Sequence, residues 1–138
     1  MNSLSDRFFE LLLRSPENEE RYEEFVSRGL LKFTCFELAL LGSFTRRVLA
    51  LVEKSGVYTV ISEREEESDE FSDDLFYYLI AISLTKGRKV LLEILKNPES
   101  FADIILDGGD IWALTEVGDF VVSCCYGAWT EKNCDPPL

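Results

Sequence analysis

The side chains that most often carry enzyme chemistry are scarce in this sequence. Histidine is absent, which removes the commonest general base, the usual zinc ligand and any Ser-His or Cys-His nucleophile pair. Four cysteines occur, Cys35, Cys124, Cys125 and Cys134, but they form no C-x-x-C pair and have no zinc-finger spacing. The sequence predicts that all four are reduced, structural thiols of an intracellular protein.

Paired carboxylates are the remaining candidates for acid–base chemistry or for holding a divalent cation. Asp73-Asp74 comes where a helix begins, and Asp107 and Asp110 flank two glycines in a turn. Neither pair has the spacing of a calcium-binding loop, and Asp119 stands alone. We therefore expect no catalytic residue, no metal site and no cofactor, and we expect that the protein is not an enzyme.

The length and charge of the chain limit the classes of partner. The 138 residues and the 46% of apolar residues suit one domain, over residues 1–138, with a single core. A formal net charge of −12 disfavours nucleic acid and anionic membrane surfaces, because both require clustered Lys and Arg. No secretory leader is visible at the start, the tail cannot anchor the chain, and the longest apolar run, 75–84, is far below the roughly 20 residues that span a bilayer.

Apolar residues recur at intervals of three and four along most of the chain, which is typical of amphipathic helices. The helix around 34–54 has a wide apolar stripe, so we expect it to be covered on more than one side. The run 75–84 is apolar nearly all round, and we expect it to be the buried, central helix. The predicted fold is all-α, a bundle of six or seven helices: 4–14, 17–30, 34–54, 75–84, 89–96, 99–106 and 111–126.

Two segments leave an α+β alternative open. Val57 to Ile61 is rich in β-branched residues, and the stretch from Val117 to Tyr126 contains Val121 and Val122, which also suit a strand. Two others are predicted to be loops. The acidic run Glu63 to Asp69 is most simply a solvated loop, and Asp107 to Asp110 is a turn.

Three stretches of the sequence resemble the motifs of one protein family. Residues 111–127 place Trp112 six residues before Gly118, and Tyr126-Gly127 eight residues after it. Residues 84–90 contain Gly87-Arg88 ahead of an apolar run. Residues 38–48 place Leu38 four residues before a glycine. Taken together, the three stretches resemble the second homology motif, the first homology motif and the BH3 segment of the Bcl-2 family.

The chain departs from the family pattern in each motif. Val117-Gly118-Asp119 stands where the second motif usually has Gly-Gly-Trp, the Asn and Trp of the first motif are missing, and Ser43 replaces the acidic residue of the BH3 segment. The span from Gly87 to Trp112 is also short. The resemblance nevertheless implies a Bcl-2-like bundle around a central apolar helix and an anti-apoptotic function, as in the small divergent suppressors of large DNA viruses.

The resemblance also implies a surface groove that binds the BH3 helix of pro-apoptotic proteins beside residues 75–91. A helical ligand with apolar anchors needs several apolar pockets. Gly87 would let the backbone of the ligand approach closely, and Arg88 would pair with an Asp of the ligand. Seven apolar side chains are predicted to line the groove: Phe44, Val48, Val52, Tyr78, Leu79, Val90 and Leu91.

These expectations define the partners. BH3 helices are the predicted ligands, neither nucleic acid nor a transmembrane anchor is expected, and self-association into a homodimer is compatible with the sequence. The expected location is the cytoplasm of a host cell, with peripheral contact at mitochondria as a variant. The alternative hypothesis is an acidic inhibitor or immunity-type protein that blocks a basic partner by charge mimicry, with 63–74 as its binding face.

Overall fold

The computed structural model of the chain describes residues 3–13, 19–64, 73–106 and 111–134. Within these ranges every regular element is helical and no residue lies in a strand, so the predicted all-α class is confirmed. The α-helices are α1 (Leu4–Leu13), α2 (Glu19–Leu30), α3 (Cys35–Val52), α4 (Tyr58–Arg64), α5 (Asp73–Ala81), α6 (Arg88–Lys96) and α7 (Ile111–Glu131). Shorter helical turns cover Glu53–Val57, Ile82–Lys86 and Ala102–Leu106.

One hydrophobic core takes side chains from all seven α-helices. The predicted burial of 75–84 is confirmed for 79–84, whose residues are all buried. This segment is not one continuous α-helix, because it changes from α5 into the tighter turn Ile82–Lys86. Helix α3 packs against α1, α5, α6 and α7, and α7 packs against α2, α3 and α5.

The crossing of α5 and α7 is unusually close at Gly118. A Cβ atom added to Gly118 would lie 1.7 Å from the carbonyl oxygen of Tyr78 and 2.5 Å from its carbonyl carbon. Both of these atoms belong to the backbone of α5, which cannot turn aside as a side chain can. The absence of a side chain at Gly118 is therefore what lets the two helices meet.

The strand alternative is wrong for both segments that raised it. Val57 ends a π-helical turn and Tyr58 begins α4, and Val57 and Ile61 are both fully buried four residues apart, which is a helical interval. Gly56 has a φ of +102°, so the chain bends there without an unwound loop. Glu63 and Arg64 belong to α4 rather than to the predicted acidic loop, and the rest of that loop, like the turn 107–110, lies outside the described residues.

Helix α3 begins at a capping box that also joins it to α1. The backbone N–H of Glu37 donates to the Thr34 hydroxyl at 3.1 Å, and the backbone N–H of Thr34 donates to the Glu37 carboxylate at 2.9 Å. The Arg7 guanidinium of α1 donates to the other carboxylate oxygen at 2.9 Å. These contacts, the Thr34 backbone donor above all, lower the pKa of Glu37 below its usual 4.5.

This lowered pKa predicts a pH dependence of stability. A carboxyl group whose pKa is lower in the folded state stabilises the fold above its unfolded pKa, and the stabilisation is lost as the pH falls through the folded pKa. We expect the wild type to be more stable than Glu37→Gln at pH 6, with the difference shrinking as the pH falls below about 4.5. Urea midpoints from pH 6 to pH 3 measure this difference. A difference that does not depend on pH would contradict the assignment.

No helix within the described ranges is long and apolar enough to cross a membrane.

Candidate functional site

Gly87 and Arg88, the two most specific residues of the predicted groove, lie where the Ile82–Lys86 turn passes into α6. Gly87 is buried and has a φ of +90°, a left-handed conformation that favours glycine. Arg88 is the first residue of α6, and its guanidinium faces α1. It forms a 3.0 Å ion pair with Asp6, donates to the Ser5 hydroxyl at 2.9 Å and lies 5.9 Å from the ring centre of Phe9.

The remaining seven residues of the predicted groove lie inside the bundle or at its edge. Val48, Val52, Leu79 and Leu91 are buried in the core. Phe44, Tyr78 and Val90 are half-buried, and the ring of Phe44 contacts that of Phe9 edge-on at 5.8 Å. Helix α1 packs against both α3 and the Ile82–Lys86 turn. A ligand at this place would have to share Arg88 with Asp6 or displace α1, and its binding there stays a prediction.

An open apolar surface lies elsewhere, between α3 and α7. We call it the α3–α7 groove, and its volume is about 310 Å³. The start of α3 lies next to the residues that follow α7, since a disulfide joins Cys35 to Cys134. Leu38, Ala39, Gly42 and Arg46 line it from α3, and Cys125, Tyr126 and Trp129 line it from α7.

Large apolar side chains stand exposed on α3 and α7, and one of them, Tyr126, lines the groove. Phe36 is 73% exposed, Leu40 is 46% exposed and Tyr126 is 74% exposed. Leu51, also exposed, continues the same face of α3 towards its end. The expectation that α3 is covered on more than one side is confirmed, since α1, α5, α6 and α7 all pack against it. The face of α3 that carries Phe36 and Leu40 stays exposed.

Positive charge borders the groove at one end. Arg46 lines the groove and Arg47 lies next to it in α3, and both side chains are exposed. The Arg46 guanidinium gives this end of the groove a positive charge in a chain whose net charge is −12. Arginine presents a planar set of N–H donors that matches a carboxylate oxygen pair. The groove thus combines mainly apolar lining residues with one exposed guanidinium group.

A disulfide closes the other end of the groove. Cys35 and Cys134 are bonded with their Cα atoms 5.7 Å apart. The backbone N–H of Cys134 donates to the Trp129 carbonyl at 3.2 Å, and the Lys132 ammonium donates to the Phe33 carbonyl. The prediction of four reduced cysteines is wrong for this pair, because the fold brings together residues 99 positions apart.

The other two cysteines agree with the sequence prediction. Cys124 and Cys125 are buried and unbonded in α7. A hydrogen bond with the Cys125 side chain, together with burial, raises the pKa of Cys124. A raised pKa suppresses the reactive thiolate, so Cys124 is suited to packing. Among the residues that the structure describes, no group of His, Cys, Asp or Glu side chains could hold a metal ion.

Comparison with known proteins finds no matching family model, no matching curated protein and no matching solved structure. The resemblance to the Bcl-2 family therefore rests on the sequence motifs alone. Sequence reasoning selected the Gly87-Arg88 surface and missed the α3–α7 groove. The excess of apolar positions in α3, where Phe36, Leu40 and Leu51 widen the stripe, indicated an exposed apolar face of that helix. It did not indicate the groove, which other residues of α3 line.

Proposed function

We propose that this protein is a Bcl-2-like apoptosis suppressor that sequesters BH3 helices of pro-apoptotic proteins, and that the α3–α7 groove receives them. One observation carries the placement: the groove between α3 and α7 is lined mainly by apolar side chains, among them the largely exposed ring of Tyr126. Exposed apolar patches of this kind mark interaction sites in soluble proteins. An amphipathic helix laid in a groove between two helices is a recurrent way to cover one.

The dimensions of the surface suit a short helix. From Leu38 to Arg46 the groove extends about 12 Å along α3, at a rise of 1.5 Å per residue. A ligand helix with anchors at i, i+3 or i+4 and i+7 needs about 10 Å of groove. Each anchor that is fully buried contributes roughly 1.5–3 kcal/mol before the costs of association. Arg46 lies where an acidic residue of the ligand would complete the contact.

Binding of BH3 peptides to variants tests the proposal. We expect Tyr126→Ala and Arg46→Glu each to weaken binding by about tenfold or more, because each removes a contact from the centre or the charged end of the groove. Tyr58→Ala and Lys96→Glu are the matched controls on α4 and α6, and we expect near wild-type affinity for both. Isothermal titration calorimetry with a panel of BH3 peptides gives the dissociation constants, and circular dichroism verifies each fold.

The same titration separates the two placements of the ligand. Truncating one partner of a desolvated charge pair costs about 2–5 kcal/mol. If Arg88→Ala weakens binding well over tenfold while Tyr126→Ala does not, the ligand binds beside residues 75–91, as the motifs imply, and the α3–α7 placement is wrong. If no BH3 peptide binds the wild type, the proposed function has to be abandoned.

Salt and concentration test the other hypotheses. Apolar anchoring predicts affinities that change little between low and high ionic strength, whereas an acidic charge mimic would lose much of its affinity. A homodimer would bury the same exposed side chains of α3 and α7. Sedimentation at increasing concentration would then show self-association that Tyr126→Ala prevents and that a BH3 peptide competes with.

A further inference from the structure

A second cleft lies between α1 and α2, away from the α3–α7 groove. Its volume is about 650 Å³, which is within the range of pockets that hold small molecules. The floor is apolar and partly aromatic, with Leu11 from α1, Phe25 from α2 and Phe33 from the turn that follows α2. Gly29 lies above Leu11, and a Cβ atom there would come within 2.5 Å of a Leu11 methyl group. Glycine at this position lets the Leu11 side chain pack directly against α2.

The rim of this cleft is cationic in a strongly acidic chain. Four of the chain's 14 basic residues line it, Arg7, Arg21, Arg28 and Lys32, against only two of its 26 acidic residues, Glu10 and Glu24. With Glu37, which pairs with Arg7 at the rim, the cleft has four basic residues against three acidic ones, an excess of positive charge in a chain whose net charge is −12. A local excess of this kind attracts anions that the rest of the surface repels.

Contacts within the protein hold two of the guanidinium groups at the rim. Arg7 pairs with Glu37 at 2.9 Å, and its guanidinium carbon lies 4.6 Å from the ring centre of Phe33. Arg28 pairs with Glu24 one helical turn away in α2. A guanidinium has five N–H donors, so one carboxylate partner leaves donors for a second anion. The Lys32 side chain is exposed at the same rim.

We propose that the α1–α2 cleft binds a small amphipathic anion, in which an aromatic or alkyl group carries a carboxylate, sulfonate or phosphate. The apolar part rests on Leu11, Phe25 and Phe33, and the anionic group meets the cationic rim. A cationic ligand would be repelled by the rim, and a purely polar ligand would make no favourable contact with the apolar floor. The proposal concerns a different surface from the α3–α7 groove and does not depend on the binding of BH3 helices.

Three probes separate the contributions of the two parts. 2-Naphthalenesulfonate carries both the apolar and the anionic group, methanesulfonate carries only the anionic group, and 2-naphthylmethylammonium carries the ring with the opposite charge. We expect saturable binding of 2-naphthalenesulfonate with a dissociation constant of about 1 mM or lower, as its size allows. We expect binding at least about tenfold weaker for the other two, since each forgoes one favourable contact.

Amide chemical shifts in ¹⁵N-labelled protein locate the site. The expected shifts lie in α1, α2 and residues 31–33, and not along α3 and α7 beside their groove. Lys32→Glu should weaken binding by about fivefold, because it replaces an attraction at the rim with a repulsion. The matched control is Lys96→Glu on α6, which changes the net charge equally and should leave the affinity unchanged.

Three results would each overturn the proposal. They are shifts that map to another surface, equal affinity for 2-naphthalenesulfonate and 2-naphthylmethylammonium, and equal weakening by Lys32→Glu and Lys96→Glu. The last of these would mean that only the net charge matters. Absence of any saturable shift at millimolar probe would also overturn it.

Discussion

Gly118→Ala, which adds a single methyl group, should strongly destabilise the protein. The new Cβ atom would overlap the carbonyl group of Tyr78, at 1.7 Å from its oxygen. Relief requires α5 and α7 to move apart, and this would loosen the packing around both helices. Overpacking costs about 1–3 kcal/mol where side chains can adjust. Here the obstacle is backbone, so we expect a loss of about 3 kcal/mol or more in the free energy of unfolding.

Gly127→Ala is the matched control for this prediction. Gly127 lies in the same helix, and a Cβ atom there meets nothing within 4 Å. Alanine at such a position favours the helix, so we expect a gain of about 0.5–1 kcal/mol. Urea denaturation followed by circular dichroism gives both values. If the two variants had similar stability, the close crossing of α5 and α7 would be wrong.

Reduction of the Cys35–Cys134 disulfide should have the second large effect. The bond closes a loop with a sequence separation of 99 residues. In the chain-entropy account, cross-links over long loops restrict the unfolded chain most, and typical stabilisation is about 2–4 kcal/mol. We therefore expect the free energy of unfolding to fall by about this amount when the bond is reduced. We also expect the end of the α3–α7 groove to loosen, since the bond joins both of its walls.

Denaturation with and without dithiothreitol measures the effect of the bond. The double variant Cys35→Ala/Cys134→Ala should match the reduced wild type and should not respond to the reductant. Its buried cysteines, Cys124 and Cys125, are retained, so they serve as an internal control for other thiol effects. Mass spectrometry after alkylation counts the free thiols in each sample. Four free thiols in the untreated wild type, or equal stability with and without reductant, would contradict the prediction.

Local sequence patterns predicted most of the helices, because their signals lie within a few residues. The apolar positions of α1, α3 and α6 recur at helical intervals, and the breaks at Asn97-Pro98 and Gly87 fall where helices end or begin. A strand was considered for Val57 to Ile61 because its β-branched composition was given more weight than the spacing of its apolar residues. That spacing is helical, since Val57 and Ile61 are four residues apart and both are buried in the core.

The contacts that define the candidate sites could not be predicted, because they join residues distant in sequence. Nothing local indicates that Arg88 pairs with Asp6, or that Cys35 bonds Cys134. The prediction of four reduced thiols applied the general rule that intracellular proteins rarely form disulfides, and the contact between Cys35 and Cys134 contradicts it for that pair. The exposed face of α3 could not be predicted either, since a helix that is apolar on several sides is normally predicted to be buried.

The disulfide also divides the chain topologically. Cys35 and Cys134 turn the backbone between them into a covalent ring that contains α3 to α7, whereas α1 and α2 form a tail outside it. One cut at any peptide bond inside the ring leaves both fragments joined as one molecule. One cut before Cys35 releases a separate piece that only non-covalent contacts hold to the ring, such as the pair of Arg7 with Glu37. The α1–α2 cleft thus belongs mainly to the detachable tail, and the α3–α7 groove belongs to the ring.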